Sequence, residues 1–353
     1  MTTTQHADSR RIGAMAVMEL NAPVTPWSFT RRATRPDDVV VDVLYSGICH
    51  SDLHMMTGWT DQFPIVPGHE MIGRVMEVGT SVTEFQPGDV VAVGTIVDSC
   101  RQCEPCRSNQ ESYCTQGPTT TYGGTDRHDG TPTYGGFAES VICDQRFVYH
   151  VPDGMDLAGA APLLCAGITT YSPLRHWNVG PGTTVGVIGI GGLGHLGIKF
   201  ARALGAHVVA FTTSAAKADD AAALGAHDVV VSTDAQQMTR QANRFDFLLD
   251  TVSSSYPMTP FVEALKLDGT LCSLGIPSQF DVAPYALAVG RRSLASSGAG
   301  GTAETQEMLE FSAQHGIAAT VEVIAPTQIN TALQRLARGD VKYRFVIDMA
   351  STE

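Results

Sequence analysis

The chain has 353 residues, of which 43% are hydrophobic and 17% charged, and it carries a formal net charge of -13 at pH 7. A chain this long exceeds the size at which one hydrophobic core stops growing, so two domains are expected, and its composition excludes a largely disordered or low-complexity protein. The acidic balance excludes nucleic acid and anionic membrane surfaces as partners, because the mean field repels both.

The start, Met1 to Arg11, is polar and lacks the apolar core of a signal peptide. The most apolar stretch, Thr183 to Ile198, is studded with glycine and interrupted by His195, which makes it a poor membrane span. A soluble protein is expected. Of the eight cysteines, Cys100, Cys103, Cys106 and Cys114 crowd together. That spacing suits metal ligation by thiolates in a reducing cytoplasm rather than secretory disulfides.

Along the chain, β-branched and apolar runs at Asp38 to Val43, Met71 to Val78, Val90 to Val93 and Val141 to Tyr149 lie between glycines and prolines. They predict short antiparallel strands with long loops, hence a β-rich first domain. After Pro162 the texture changes. Strand-like runs at Thr184 to Ile188, His207 to Thr212, Asp228 to Val231, Phe245 to Val252 and Thr270 to Leu274 alternate with helix-like ones at His195 to Leu204, Lys217 to Leu224 and Pro257 to Leu265. This alternation predicts βαβ units and a doubly wound parallel sheet. Two further helical stretches, Thr305 to His315 and Ile329 to Arg338, and a strand-like run, Arg344 to Met349, complete the chain. So short a terminal segment is expected to pack back on the first domain. The expected organisation is therefore a β-rich domain of residues 1–163 and 297–353 enclosing an α/β domain of residues 164–296.

Two constellations point to metal. In Cys100-x2-Cys103-x2-Cys106-x7-Cys114, four thiolates on one tight loop can close a tetrahedron around Zn²⁺, leaving no room for substrate, so this site is structural. The second is scattered: Cys49 within Gly47-Ile48-Cys49-His50-Ser51-Asp52, His69-Glu70 after Pro67-Gly68, and Cys165 far downstream. Two cysteines and a histidine with an open fourth position are what a Lewis-acid zinc needs to accept a substrate oxygen. Taken singly, each of these residues is weak evidence; a lone Cys165 beside Leu163-Leu164 also reads as a core thiol.

The glycine cluster Gly189-Ile190-Gly191-Gly192-Leu193-Gly194 follows a strand-like run and opens a helix-like one. In that context a GxGxxG pattern lets a pyrophosphate approach the helix N-terminus, where unpaired N–H groups favour anions. NAD-preferring folds place an acid about 20 residues beyond the glycines to bind the ribose 2′-hydroxyl. Here the run reads Thr212-Thr213-Ser214-Ala215-Ala216-Lys217, with no acid before Asp219. Hydroxyls of Thr212, Thr213 and Ser214 with the charge of Lys217 suit a 2′-phosphate, so NADP(H) is expected. The competing reading is that Ser214 only caps the next helix and Lys217 is a solvated surface residue.

Gly68-His69-Glu70-x2-Gly73-x5-Gly79-x2-Val82, in its order relative to the four-cysteine loop and the glycine cluster, resembles the signature of zinc-containing medium-chain alcohol dehydrogenases. The phrases Gly47 to His54 and Leu164-Cys165-Ala166-Gly167-Ile168-Thr169 are most similar to the cinnamyl alcohol dehydrogenase branch and its broad-range bacterial aldehyde reductase relatives. The resemblance implies an α/β architecture, a β-rich GroES-like catalytic domain plus a Rossmann domain. It implies two zinc ions per chain, one on Cys49, His69 and Cys165 with Glu70 able to exchange with substrate, and one on the four-cysteine loop.

By the same resemblance Asp52 orients the His69 imidazole, and Ser51 passes the alcohol proton through the cofactor ribose to His54 while hydride goes to the nicotinamide. Thr169, Thr251, Gly275, Ile276 and the loop Ser297, Gly298, Ala299 and Gly300 would surround the nicotinamide end. That loop is smaller than in the plant enzymes, which leaves the pocket shape open. A primary alcohol/aldehyde pair as substrate and a cytoplasmic homodimer are further implications. Two rival readings meet specific objections. A zinc-independent quinone reductase would lack the cysteine loop and the His-Glu pair, and a zinc-stabilised nucleotide sensor or scaffold would have no use for the full set Cys49, Ser51, His54, His69, Glu70 and Cys165.

Overall fold

The computed structural model describes residues 10–351. Part of the polar start that bears on the signal-peptide expectation, residues 1–9, lies outside the described residues. The chain forms two compact units, one of residues up to 165 together with those from 300 onward, the other of residues 166–299. The first break falls after Cys165 rather than after residue 163, because the 3-10 turn Ala161–Leu164 is buried and packs on strands of the first unit. Cys165 therefore stays with Cys49 and His69.

In the first unit, β1 (Arg11–Val17) and β2 (Val24–Thr30) form an antiparallel hairpin. Long β3 (Asp38–Ile48) pairs antiparallel with β4 (Met71–Val78), and β4 with β5 (Val90–Val93). The short β6 (Ile96–Asp98) pairs with β7 (Thr119–Thr120), while β8 (Ser140–Asp144) adds to β3 and β9 (Val148–His150) to β5. Alternation puts Val39, Val41 and Val43 on one face of β3, where they meet Met71, Val75, Val91 and Val141 in a dry core. Each such side chain contributes roughly 1.5–3 kcal/mol on burial.

The second unit is a six-stranded parallel sheet of β10 (Thr184–Ile188), β11 (His207–Thr212), β12 (Asp228–Val231), β13 (Phe245–Asp250), β14 (Leu265–Ser273) and β15 (Ser293–Ser296). Its order, β12-β11-β10-β13-β14-β15, reverses between β10 and β13. That reversal is the topological switch point of a doubly wound fold, and ligands bind there beyond the carboxyl ends of the strands. The glycine cluster follows β10 at that point.

The chain then returns to the first unit. Helix Thr302–His315 leads to β16 (Val321–Ile324), and β17 (Arg344–Asp348) pairs parallel with β16 and antiparallel with β3, setting Phe345 opposite Ile48. Helix Ile329–Ala337 buries Ile329, Leu333 and Leu336 against β1 and β2 residues Ile12, Val17 and Val24. No single helix among the described residues is long and apolar enough to cross a membrane.

Several elements differ from the sequence expectation. The run expected as one helix from Lys217 begins as a 3-10 turn, Ala215–Lys217, capped by Ser214, and continues as Ala218–Ala223. The helix expected from Pro257 shortens to Thr259–Ala264, since Leu265 is already extended and starts β14. The run Val141 to Tyr149 is split by a 3-10 turn at Gln145–Phe147 whose cap is the Asp144 side chain.

Candidate active site and metal centres

Cys49 lies at the end of β3 and caps the short helix His50–His54. Its backbone N–H donates to Asp52 Oδ2 at 2.7 Å, and the N–H of Gly68 donates to Asp52 Oδ1 at 3.1 Å. One fully buried carboxylate thus ties the end of β3 to the turn that carries His69. Gly68 has φ +102°, in the left-handed region, and a Cβ there would collide with Phe137, Ser46 and Gly136, so glycine is required at that turn. The 3-10 turn before Cys165 delivers its thiol to the same place.

The donor atoms of Cys49, His69, Glu70 and Cys165 all lie within 4.8 Å of one another. Cys49 Sγ and Cys165 Sγ are 3.9 Å apart. Zinc–sulfur bonds of about 2.3 Å at a tetrahedral angle require a sulfur–sulfur edge of about 3.8 Å, so the spacing fits zinc. Contact with Cys165 pulls the Cys49 thiol well below its usual range, against burial and assisted by the Arg344 charge; the same contact and burial push Cys165 up.

Glu70 is buried and ion-paired with buried Arg344. Burial raises the Glu70 carboxyl to about 7 although Arg344 opposes the shift, and its Oε2 has no hydrogen-bond partner. An orphaned carboxylate oxygen inside a donor cluster suits a fourth, exchangeable metal ligand. Gly47 makes room for it, because a Cβ there would strike Glu70 Oε2. The sequence places Gly47 in the Cys49 motif and Arg344 at the head of a strand-like run, but assigns neither a part in the site. Nothing local marks either one, since both act across strands.

Asp52 requires a correction. Its Oδ1 is 3.8 Å from His69 Nδ1, too far for a hydrogen bond, and the direct partner of Nδ1 is the Tyr122 hydroxyl at 3.1 Å. Tyr122 is buried, its ring stacks on His69, and burial together with Asp52 raises its phenol well above the usual range. Asp52 therefore reaches the imidazole through Tyr122, which the sequence reading missed. With Nδ1 occupied, Nε2 is the nitrogen left for the donor cluster.

Ser51 Oγ lies 3.6 Å from Cys49 Sγ, beside the cluster. The His54 ring stacks on Trp59 with centroids 4.5 Å apart, and Trp59 is half-exposed. His50, given no role from the sequence, is exposed.

The four-cysteine loop also gathers its sulfurs: Cys100, Cys103, Cys106 and Cys114 fall within 4.8 Å of one another. None forms a disulfide. Cys100 Sγ and Cys106 Sγ are 3.8 Å apart, again a zinc-sized edge. The N–H of Cys106, and next that of Thr115, points at Cys103 Sγ and lowers that thiol to about 6. Four converging sulfurs leave no position for substrate.

In the second unit, Gly189 has φ +89°, and a Cβ on Gly194 would strike the Gly189 carbonyl oxygen, whereas at Gly191 a Cβ would meet nothing within 4 Å. The first and last glycines are thus needed by the turn, and the middle one faces open space where a pyrophosphate can approach. Helix Gly194–Ala203 has no side-chain cap at its N-terminus; the N–H groups of His195 and Leu196 donate to the Gly191 and Leu193 carbonyls, and the helix dipole still favours an anion at this end. Thr251 donates to the Ile188 carbonyl at 2.8 Å, and a Cβ on Gly275 would strike the Val252 carbonyl oxygen, so both lie at the carboxyl ends of the central strands. Thr169 lies half-buried in helix Ala166–His176, and Ile276 is 71% exposed. Ser297, Gly298 and Ala299 end this unit, while Gly300 opens the return and accepts from Ser112 Oγ at 2.7 Å.

At the end of β11 no carboxylate stands before Asp219. The buried Thr212 hydroxyl lies 3.2 Å from both the N–H and the carbonyl oxygen of Ser214, and Ser214 Oγ accepts the Ala216 N–H at 3.3 Å. These two hydroxyls shape the turn, as the competing reading held for Ser214, and the exposed Thr213 and Lys217 are the side chains open to a ligand.

Residues 35–153 match the alcohol dehydrogenase GroES-like domain family, and residues 192–314 the zinc-binding dehydrogenase family. The chain is 49% identical to aldehyde reductase YahK of Escherichia coli over 96% of its length and 98% of that protein. Among solved structures, it is similar to a cinnamyl alcohol dehydrogenase of Sorghum bicolor, with TM-score 0.94 and 41% identity over 98% of this chain and 99% of the other. A cinnamyl alcohol dehydrogenase of Helicobacter pylori complexed with NADP(H) matches with TM-score 0.89 and 36% identity over 97% and 99% of the two chains.

Proposed function

Because the chain belongs to the zinc-dependent medium-chain alcohol dehydrogenases, in the branch of the cinnamyl alcohol dehydrogenases and aldehyde reductases, we propose that it exchanges a hydride between NADP(H) and a primary alcohol/aldehyde pair, aromatic and cinnamyl aldehydes included. The observation that carries this reading is the convergence of Cys49, His69, Glu70 and Cys165, drawn from three separate points of the chain, on one set of donors within 4.8 Å. A zinc ion held there supplies Lewis acidity to the substrate oxygen, and the nicotinamide supplies or takes the hydride.

The residues divide the remaining work. Ser51, beside Cys49, holds the substrate proton, and His54 exchanges it with solvent. Tyr122 and Asp52 fix the tautomer of His69, and Arg344 restrains Glu70. Gly189, Gly191, Gly192, Leu193 and Gly194 cradle the pyrophosphate; Thr213 and Lys217 face the 2′-phosphate. Thr169, Thr251, Gly275 and residues 297–300 serve the nicotinamide end. A second zinc on Cys100, Cys103, Cys106 and Cys114 is structural. The protein is a cytoplasmic homodimer in this reading. Assay of the zinc-loaded protein against aliphatic, aromatic and cinnamyl aldehydes with both reduced cofactors tests it. A nucleotide sensor or scaffold would bind cofactor and turn nothing over.

A further inference from the structure

The first unit contains a cavity of about 650 Å³, walled by the chain between β2 and β3, by the segment 126–134 and by β8. None of the metal-donor residues lines it. Its volume is that of a small-molecule site.

The charges around it are unevenly matched. Arg32 is paired with Asp38 and Asp126, Arg35 with Asp126 and Asp129, and Arg101 with Asp98 and Asp144. Arg31, also in the wall, has no carboxylate partner among the described residues. Its Nη2 donates to the Ser140 carbonyl, its Nε is buried without any partner, and its guanidinium lies 4.8 Å from the centre of the Phe29 ring. Burial, and then the neighbouring charge of Arg32, lower this guanidinium to about 9, so the cation is held where it lacks compensation. Arg31 is half-buried, and a guanidinium drawn partly out of water with its Nε unmet is costly unless an anion meets it. Beside it Phe29 and Tyr134 pack with ring centroids 4.5 Å apart, and Val141 continues the apolar surface.

We propose that this cavity is a binding site for a small aromatic carboxylate, its anionic head on Arg31 and its ring against Phe29 and Tyr134. An inorganic anion would satisfy Arg31 and leave the apolar wall uncovered, which is why the organic acid is favoured. The site stands apart from the proposed dehydrogenase chemistry and can fail without it.

Calorimetric titration of the zinc-loaded, full-length protein with benzoate tests the site, together with a crystal structure bearing 4-bromobenzoate. The expected result is saturable binding, a bromine anomalous peak in the cavity, and at least tenfold weaker binding in Arg31→Gln, with aldehyde reduction unchanged. Thr131→Trp, at an exposed position of the cavity rim, should block binding equally and serves if Arg31→Gln does not fold. Absence of saturable binding, equal binding in both variants, or bromine found only at the catalytic cluster would overturn the proposal. The backbone N–H of Arg31 donates to the carbonyl of Arg10, the first described residue, and residues 1–9 precede it in the chain. If only a chain lacking them binds benzoate, the occupant is the protein's own terminus, and the proposal of an external ligand is equally overturned.

Discussion

The Arg344 guanidinium is ion-paired with the Glu70 carboxylate across 274 residues of sequence, with side-chain exposures of 1% and 0%. Arg344 opens β17, and Glu70 directly precedes β4, so the returning C-terminal strand supplies the charge that lets a carboxylate stand in the donor cluster. Arg344→Met should destabilise the protein by about 3–5 kcal/mol, because it leaves a buried carboxylate uncompensated. The double variant Glu70→Gln, Arg344→Met should recover part of that loss. Chemical denaturation of the single and double variants checks this; a single-variant cost below about 1 kcal/mol would mean that the pair is not structurally coupled.

The two cysteine sets make separable claims about metal. Cys103→Ser should lower the zinc content by one per chain and reduce stability, and the folded fraction should still turn over. Cys165→Ser should abolish turnover while the fold persists. Elemental analysis with circular dichroism distinguishes them, and a native zinc content of one or none under metal-replete conditions contradicts the assignment.

Tyr122→Phe removes the hydroxyl that meets His69 Nδ1 at 3.1 Å and keeps the ring stack. Losses of this kind cost about 10–100-fold in metal affinity or activity. The expected signature is faster zinc loss to a chelator from one site per chain, with thermal stability of the zinc-replete protein little changed. If Asp52→Asn speeds zinc loss less than Tyr122→Phe does, the route through Tyr122 is supported; native chelation kinetics in Tyr122→Phe would remove it.

The Rossmann sheet and its glycine cluster were legible because their signals are local: apolar runs of strand length, helical periods between them, and GxGxxG at one junction. The metal donors were legible through motif resemblance, with the close approach of Cys49 and Cys165 supplied only by the fold. Arg344, Tyr122 and Gly47 were not legible, since each is defined by a neighbour on another strand or loop. Helix Ala166–His176 was passed over because Gly167, two threonines and Pro173 weaken its propensity; burial of Ile168, Tyr171 and Leu174 stabilises it instead. The hairpin β1–β2 went unread for a similar reason, as Pro26 interrupts the alternation of β2.

His54 stacks on Trp59 near the surface, where it can exchange protons with water. His54→Gln should slow alcohol oxidation by about 10², as general-base contributions do. The loss should be greatest at low and neutral pH, where hydroxide is scarce, and should fade as pH rises and hydroxide replaces the base. An unchanged pH–rate profile would exclude His54 from the proton path.

Cofactor choice is the most direct test of the account, because it joins the dehydrogenase reading to particular residues. Thr213 and Lys217 are exposed at the end of β11, and the next acids along the sequence, Asp219 and Asp220, lie in the following helix. Thr213→Asp should narrow or invert the preference by repelling the 2′-phosphate. The decisive measurement is kcat/KM for aldehyde reduction by the zinc-loaded native protein with NADPH and with NADH. A ratio of at least about tenfold in favour of NADPH, equivalent to roughly 1.4 kcal/mol, is predicted; equal use of the two cofactors, or no turnover with either, would contradict it.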